Sequence, residues 1–418
     1  MGVETETGYT WTDGKFARLL HEGNRHPIKT VTATKDSGST ASLVDNDLTI
    51  DKWIPFANLI AEPTNFSAAD WTATNLTVSS DGQTVTETTA NGAHDLEADV
   101  TWDSAGAQAV FAIQVERRTL SEVRLLANDG TNTRTCWFDL RDLTVGTAVN
   151  STGQIIDLGD GVYELRMYFT ANSAAGRVEI QFGNGSEGTS YVGNTDTVLK
   201  ILRAAAHTGE ASLRLDTFTG LGATCFAIGA HNLGSAGARI TFEHDSNSDD
   251  TFTAIETVTP TNDSPILFFF DTVTSSRWRI TVDRGVLPEI AVVRVGNPLT
   301  FERPFYSGFT PARMGRATDV IGNISRTGEL LGRSIKRTLL QEDYQWKNLT
   351  YTWVRANIDK PGGVIQSLEK KAAFMAWRPE EATDDVSYIL RAQPTAPRAQ
   401  GSRDLWTFSF SAEVYAYE

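Results

Sequence analysis

Residues 222–243 read GATCFAIGAHNLGSAGARITFE. An apolar run, CFAIGA, enters a polar corner, HNLGSAG. A second segment, ARITFE, then alternates apolar and polar residues, the period of a strand with one face in a core. Residues 276–283, SRWRITVD, repeat that alternation. These are interior strands of a sandwich, and its opening strands should lie just upstream. What lies upstream instead reads as a complete domain of its own.

The period is two along most of the chain. In GVYELRMYFT (161–170), Tyr163, Leu165, Met167 and Phe169 face one way, and Glu164, Arg166 and Tyr168 the other. RVEIQF (177–182) alternates and runs into the turn signal Asn184-Gly185. Short alternating strands broken by Gly, Asn and Asp predict all-β sandwiches. Two stretches are predicted as helices: residues 13–23, DGKFARLLHEG, and residues 362–377, GGVIQSLEKKAAFMAW. The second follows Pro361 and stripes Val364, Leu368 and Ala372 along one face, a core-packing pattern.

Bulk properties narrow the classes. A chain of 418 residues predicts two to four domains with ample core. The two cysteines, Cys136 and Cys225, fall in different predicted domains, so no disulfide framework is expected. The first residues, MGVETETGYTWTDG, are polar and acidic and do not read as a secretory signal. No apolar run reaches membrane-spanning length, so no membrane insertion is expected. Residues 301–418 carry 16 Lys and Arg against 14 Asp and Glu, which leaves -17 of the -15 net charge on the first 300 residues. That acidic body argues against nucleic acid as a partner. Seven Asn-x-Ser/Thr triplets are a chance yield of an Asn- and Thr-rich chain.

Residues 59–206 form a self-contained block with about eight strand-like runs. The succession NFSAADWTATNLTV (65–78), CWFDLRDLTVGT (136–147), IIDLGDGVYELRMYF (155–169) and GNGSEGTSYVG (183–193) is similar to carbohydrate-binding-module-like jelly rolls of bacteriophage tail proteins. The flanking segments, 27–58 and 207–300, resemble a discoidin-like sandwich. That likeness implies that Trp53 is the Trp following its variable loop. The expected fold is mainly all-β: two β-sandwich domains, one inserted in the other between Phe56 and Gly209, plus a small α+β C-terminal domain with one clear helix. A loop tip of a sandwich tolerates such an insertion. The alternative is two sandwiches in series after an N-terminal extension. Residues 1–26 are taken as that extension, with its short helix.

Residues 301–418 begin with a linker, ERPFYSGFTPAR (302–313). GELLGRSIKRTLL (328–340) and YQWKNLTYTWV (344–354) read as paired strands, followed by the helix and two closing strands. GRSIKR (332–337), AFMAWRPEE (373–381) and FSFSAEVY (408–415) resemble the small domains of distal tail and minor tail proteins of long-tailed phages, which form rings around the tail tube. The basic run 326–337 lacks interleaved aromatics for nucleic acid and is read as bridging neighbouring subunits.

Jelly rolls hold glycans by stacking sugars on exposed aromatics. Four candidates follow: Trp71 and Tyr168 first, then Trp137 and Tyr191. For metal the expectation is none. The weak candidate is residues 245–256, DSNSDDTFTAIE, where Asp245, Asn247, Asp249 and Glu256 have calcium-loop spacing but Asp250 replaces the Gly of the sharp turn. None of the six His pairs with a Ser or Cys in a nucleophile motif, and His231 is read as holding backbone at a strand end. No enzymatic activity and no cofactor are expected. The resemblances imply a virion structural protein of the distal-tail type, assembled in the host cytoplasm. Its expected partners are itself in a ring (most simply a hexamer), the tube, tape-measure and hub proteins of the tail, and host surface glycans. The alternative is a carbohydrate-binding adhesin or receptor-binding fibre module with no ring role.

Overall fold

The computed structural model describes residues 2–11, 16–33, 53, 58–102, 107–129, 132–208, 211–284, 288–305, 309–311, 316–324, 330–383, 385–401 and 404–415. Residues 34–52 and 54–57, read above among the opening strands of the discoidin-like sandwich, lie outside them, as do the side chains of the basic run 326–337. The fold is mainly β, with two short helices among the described residues.

The inserted block is a sandwich of two antiparallel six-stranded sheets. One runs Thr144–Val149, Thr133–Asp139, Glu122–Asn128, Ala175–Gly183, Asp95–Thr101, Trp71–Thr74. The other runs Thr152–Gly159, Val162–Thr170, Gln108–Glu116, Val198–Thr208, Thr84–Glu87, Leu76–Val78. Strands exceed the eight expected because three short ones lie in the polar stretch 71–87, where little alternation marks them. The inward residues follow the period-two reading. Leu165, Met167 and Phe169 enter one core with Phe111, Phe138 and Ile180.

The second sandwich is built on two long strands, Ala211–His231 and Ile266–Arg284. Their register breaks between Asp216 and Leu221 and again between Ala223 and Cys225. The bulges fold the sheet over on itself, as extra residues bend a strand. Phe242 and Trp278 of the first half pack on Phe226 of the second at 5.0 and 5.6 Å. The strand Ile28–Ala33 pairs with Leu213–Thr217, so the jelly roll is inserted between two paired strands of this sandwich. Trp53 is fully buried and bridges backbone to backbone with Ile290.

The C-terminal sheet corrects four expectations. Residues 328–340 and 344–354, expected to pair with each other, run into one continuous strand, Leu330–Thr350, which pairs with Arg316–Ile324 just after the segment read as linker. Residues 16–23, within the helix predicted over 13–23, are not helical. Arg18–Leu20 is a strand, paired with Phe374–Ala376 and with Leu299–Thr300, while 12–15 lie outside the described residues. Leu19 faces one core and Leu20 another, and a strand buried on both faces is an apolar run that does not alternate. The helix predicted over 362–377 spans only Val364–Lys370. Ala373–Ala376 is a strand, again buried on both faces. Residues 351–354, read as strand, open the helix Tyr351–Asn357, whose N-cap Thr350 accepts the Trp353 amide through its hydroxyl.

This sheet packs on the second sandwich through a shared apolar layer of Leu20, Cys225, Ala227, Leu267, Phe269, Phe374 and Tyr388. Gly229 is placed where a Cβ would come within 2.9 Å of the Phe374 ring, so the rings of Phe374 and Tyr388 pack directly on the Gly229 backbone. Buried Arg294 crosses the layer to donate to the Ala372 carbonyl at 2.7 Å.

Candidate ligand-binding face

The outer face of the second jelly-roll sheet is set by register. Side chains of paired residues stand side by side. Thr152, Tyr168, Val110 and His207 form one row, Gln154, Arg166, Ala112 and Ala205 the next, and Ile156, Glu164, Gln114 and Arg203 a third. The middle row is covered. The corner His231–Gly237 of the second sandwich sits on it, and Arg166 donates to the Ser235 carbonyl and to Glu164. Arg166 has 0% exposure although it stands on the face read as polar and outward.

The corner is held by its own chemistry. His231 accepts the Leu233 amide at Nδ1 (3.2 Å) and its Nε2 meets the Ser264 carbonyl at 2.8 Å. Burial lowers its pKa to about 4, so the ring is neutral, with Nε2 the protonated nitrogen. Ser235 donates its amide to Asp263, and Ala236, Gly237 and Ala238 close turns on Asn232, Gly234 and Leu233. Gly237 sits at φ +62, and a Cβ there would run into the Arg166 guanidinium. Gly237→Ala is therefore expected to destabilise the protein by about 1–2 kcal/mol from the left-handed backbone alone, with the steric term added. Thermal unfolding of the variant measures it.

The docked corner divides the face into two clefts. The smaller, about 240 Å³, lies over the third row and is lined by Gln114, Glu164, Arg203, Asn232 and Glu289 among others. The larger, about 340 Å³, lies over the first row. Tyr168, Thr152, His207 and Gln108 come from the jelly roll, and Arg239 from the second sandwich. Tyr168 is half-buried, and its hydroxyl donates to Gln154 at 3.1 Å.

Of the four aromatic candidates, Tyr168 alone lines either cleft. Trp71 is 6% exposed, with its ring 4.9 Å from Phe66 and its Nε1 bonded to the Glu62 carbonyl. It was read as exposed because its neighbours are polar. On an edge strand with one large apolar residue, that residue is the one turned inward. Trp137 is 5% exposed beneath Arg124, 5.3 Å from the ring centroid. Tyr191 stacks on His94 at 4.7 Å and donates to the Glu87 carboxylate. Burial and that carboxylate raise its pKa. Neither Trp71 nor Trp137 offers a ring face to a sugar.

The acidic loop is a tight hairpin turn. Asp245 has no exposed side chain and accepts the Asp250 amide (2.9 Å) and Arg277 Nη1 (3.2 Å). Burial acts to raise its pKa, but the amides and the guanidinium outweigh it and hold the group below the usual carboxylate range. Asp249 accepts the Thr251 amide, Asn247 is exposed, and Glu256 is engaged by Thr7 through amide and hydroxyl. Asp250 takes φ +67, the left-handed turn that the calcium pattern gives to Gly. Among the described residues no group of three His, Cys, Asp or Glu is placed to hold a metal ion.

Sequence reasoning missed Arg166, Arg239 and the division of the face. Alternation put Arg166 outward correctly. Nothing local says that a corner some 70 residues later would cover it.

No family model matches this chain, and no curated protein does. Solved structures with weak similarity include the allantoicase of Saccharomyces cerevisiae, 9% identical over 63% of this chain and 93% of that one, TM-score 0.18. Another is the pair of CBM32 domains of Clostridium perfringens ZmpB in complex with GalNAc, 7% identical over 67% and 92%, TM-score 0.18. A glycoside hydrolase is 11% identical over 53% and 69%, TM-score 0.18. At such scores these likenesses carry no argument about function.

Proposed function

We propose that this chain is a structural and attachment subunit of a bacteriophage tail tip, of the distal-tail type. Its C-terminal sheet joins copies into a ring, and its sandwiches carry a glycan-binding face outward. The observation that carries this reading is a two-stranded ribbon. The strand Leu330–Thr350 pairs with Leu405–Val414 only from Leu340 onward. Its first ten residues run past the end of that partner and pair only with Arg316–Ile324. At ~3.3 Å per residue the ribbon extends on the order of 30 Å.

Among the described residues, no strand pairs with either outer edge of the ribbon. A lone two-stranded ribbon is marginal in water, and its open amides and carbonyls are a template for another strand. A neighbouring copy supplies that strand, and a head-to-tail contact of this kind closes into a ring. The sequence likeness of the same region to distal tail domains supports the tail setting, and with it the tube, tape-measure and hub partners. Each glycan site is weak alone, and copies in a ring bind together with avidity. No covalent bond is made or broken in this reading.

The larger cleft also fits the second reading, a free carbohydrate-binding adhesin or fibre module. Assembly separates the two. Thr318 pairs with Thr338, so the ribbon can be shortened by joining these residues through an Asn-Gly turn. The shortened chain is expected to lose self-association in sedimentation while its thermal unfolding stays that of the parent. Unchanged self-association would remove the ribbon from the account.

A further inference from the structure

The larger cleft is walled by both sandwiches. Gln108, Thr152, Tyr168 and His207 come from the jelly roll, and Arg239 from the second sandwich. The corner His231–Gly237 joins the two walls. A Cβ on Gly237 would stand 3.5 Å from the Tyr168 hydroxyl, so the end of the corner packs on that phenol as well as on the Arg166 guanidinium. Arg239 follows two residues later and opens the strand Arg239–Asp245. One clamp therefore sets both sides of the cleft. Arg166, held in the jelly roll by Glu164, donates to the Ser235 carbonyl of the corner.

Resting on the glycan reading above, we propose that the saccharide site in the larger cleft is complete only when the two sandwiches dock, and that Arg166 is its positioning residue. Arg166 is fully buried and touches no ligand itself. It acts through the corner, which sets Gly237 against the Tyr168 phenol and leads Arg239 into the wall. A sugar ring lies on the half-buried phenol, and polar side chains from both sandwiches meet its hydroxyls. Such a ligand binds the docked arrangement better than the undocked one, and that difference is what it adds to docking. The coupling is reciprocal: docking tightens binding, and binding tightens docking. A bound glycan thus ties the jelly roll to the second sandwich, which the shared apolar layer joins to the C-terminal sheet.

The test probes an array of oligosaccharides (neutral, N-acetylated and uronate-bearing) with the full chain, then titrates the strongest ligand calorimetrically. Tyr168→Ala should abolish binding. The double variant Arg166→Met with Glu164→Gln removes the clamp and strands no charge. It should bind about 5- to 150-fold more weakly, the range of coupling between linked sites. Parent and variant are titrated at a temperature where both are folded, so the loss reports position rather than stability. Arg214→Met, remote from the corner, should bind as the parent does. Saturating ligand should also slow amide exchange at Leu233, Ala236 and Ala238, whose N–H groups close the corner. Parent-like affinity in the double variant, or corner exchange that ligand leaves unchanged, overturns the composite site, while Tyr168-dependent binding keeps the glycan reading. Binding that survives Tyr168→Ala, or an array on which the parent chain binds nothing, overturns the glycan reading and this inference with it.

Discussion

Arg166→Met is expected to lower the unfolding free energy by about 3–5 kcal/mol, the range for breaking a buried ion pair by removing one partner. Arg166 and Glu164 have 0% and 6% of their side chains exposed. Without the guanidinium, Glu164 keeps only the Gln114 amide at 2.9 Å, and the Ser235 carbonyl loses its partner inside the contact between sandwiches. Urea unfolding followed by tryptophan fluorescence measures the loss. The double variant Arg166→Met with Glu164→Gln should recover much of it, because no charge is then stranded. Arg214→Met is the control. It breaks partly exposed pairs with Asp216 and Asp250 and should shift stability by less than about 1 kcal/mol. An Arg166→Met loss as small as the control's would mean that the corner docks without the clamp.

Trp346→Ala should destabilise the C-terminal sheet by about 3–5 kcal/mol, the range for emptying a large aromatic from a packed core. Its ring is fully buried and lies parallel to Phe301 at 3.8 Å, with Phe305, Phe408 and Phe410 around it. Phe301 follows the last strands of the second sandwich, so the stack also fixes how that sandwich leads into the C-terminal sheet. Trp346 stands on the strand that continues into the ribbon. The variant is therefore expected to lose assembly together with stability, whereas Trp346→Phe, which retains a ring on Phe301, should keep assembly. Assembly by a destabilised Trp346→Ala chain would uncouple the ribbon from its sheet.

The insertion of one sandwich in another was implied by the resemblance of the flanking segments to a discoidin-like sandwich, and the mainly β fold was legible because period-two alternation is a local signal. Val162–Thr170 shows it: Leu165, Met167 and Phe169 turn inward as the pattern requires. Elements buried on both faces were not legible. Arg18–Leu20, with its adjacent leucines, and apolar Ala373–Ala376 are short and do not alternate, and helix and strand look alike under those conditions. The helix Tyr351–Asn357 was hidden by its aromatic, β-favouring residues, and its Thr350 cap is what starts it. The candidate site was legible only in Tyr168. The corner HNLGSAG was visible as a corner, and its place over Arg166 was not, because long-range docking leaves no mark on either segment alone.

The central claim is that copies of this chain close into a ring through the C-terminal sheet. Native mass spectrometry of the intact chain at high concentration, with electron microscopy of the same sample, tests it most directly. The account predicts a closed ring of about six copies, one ribbon to each subunit boundary, with the sandwiches outside. A single-copy mass at every concentration, unchanged when tail-tube protein is added, would contradict it.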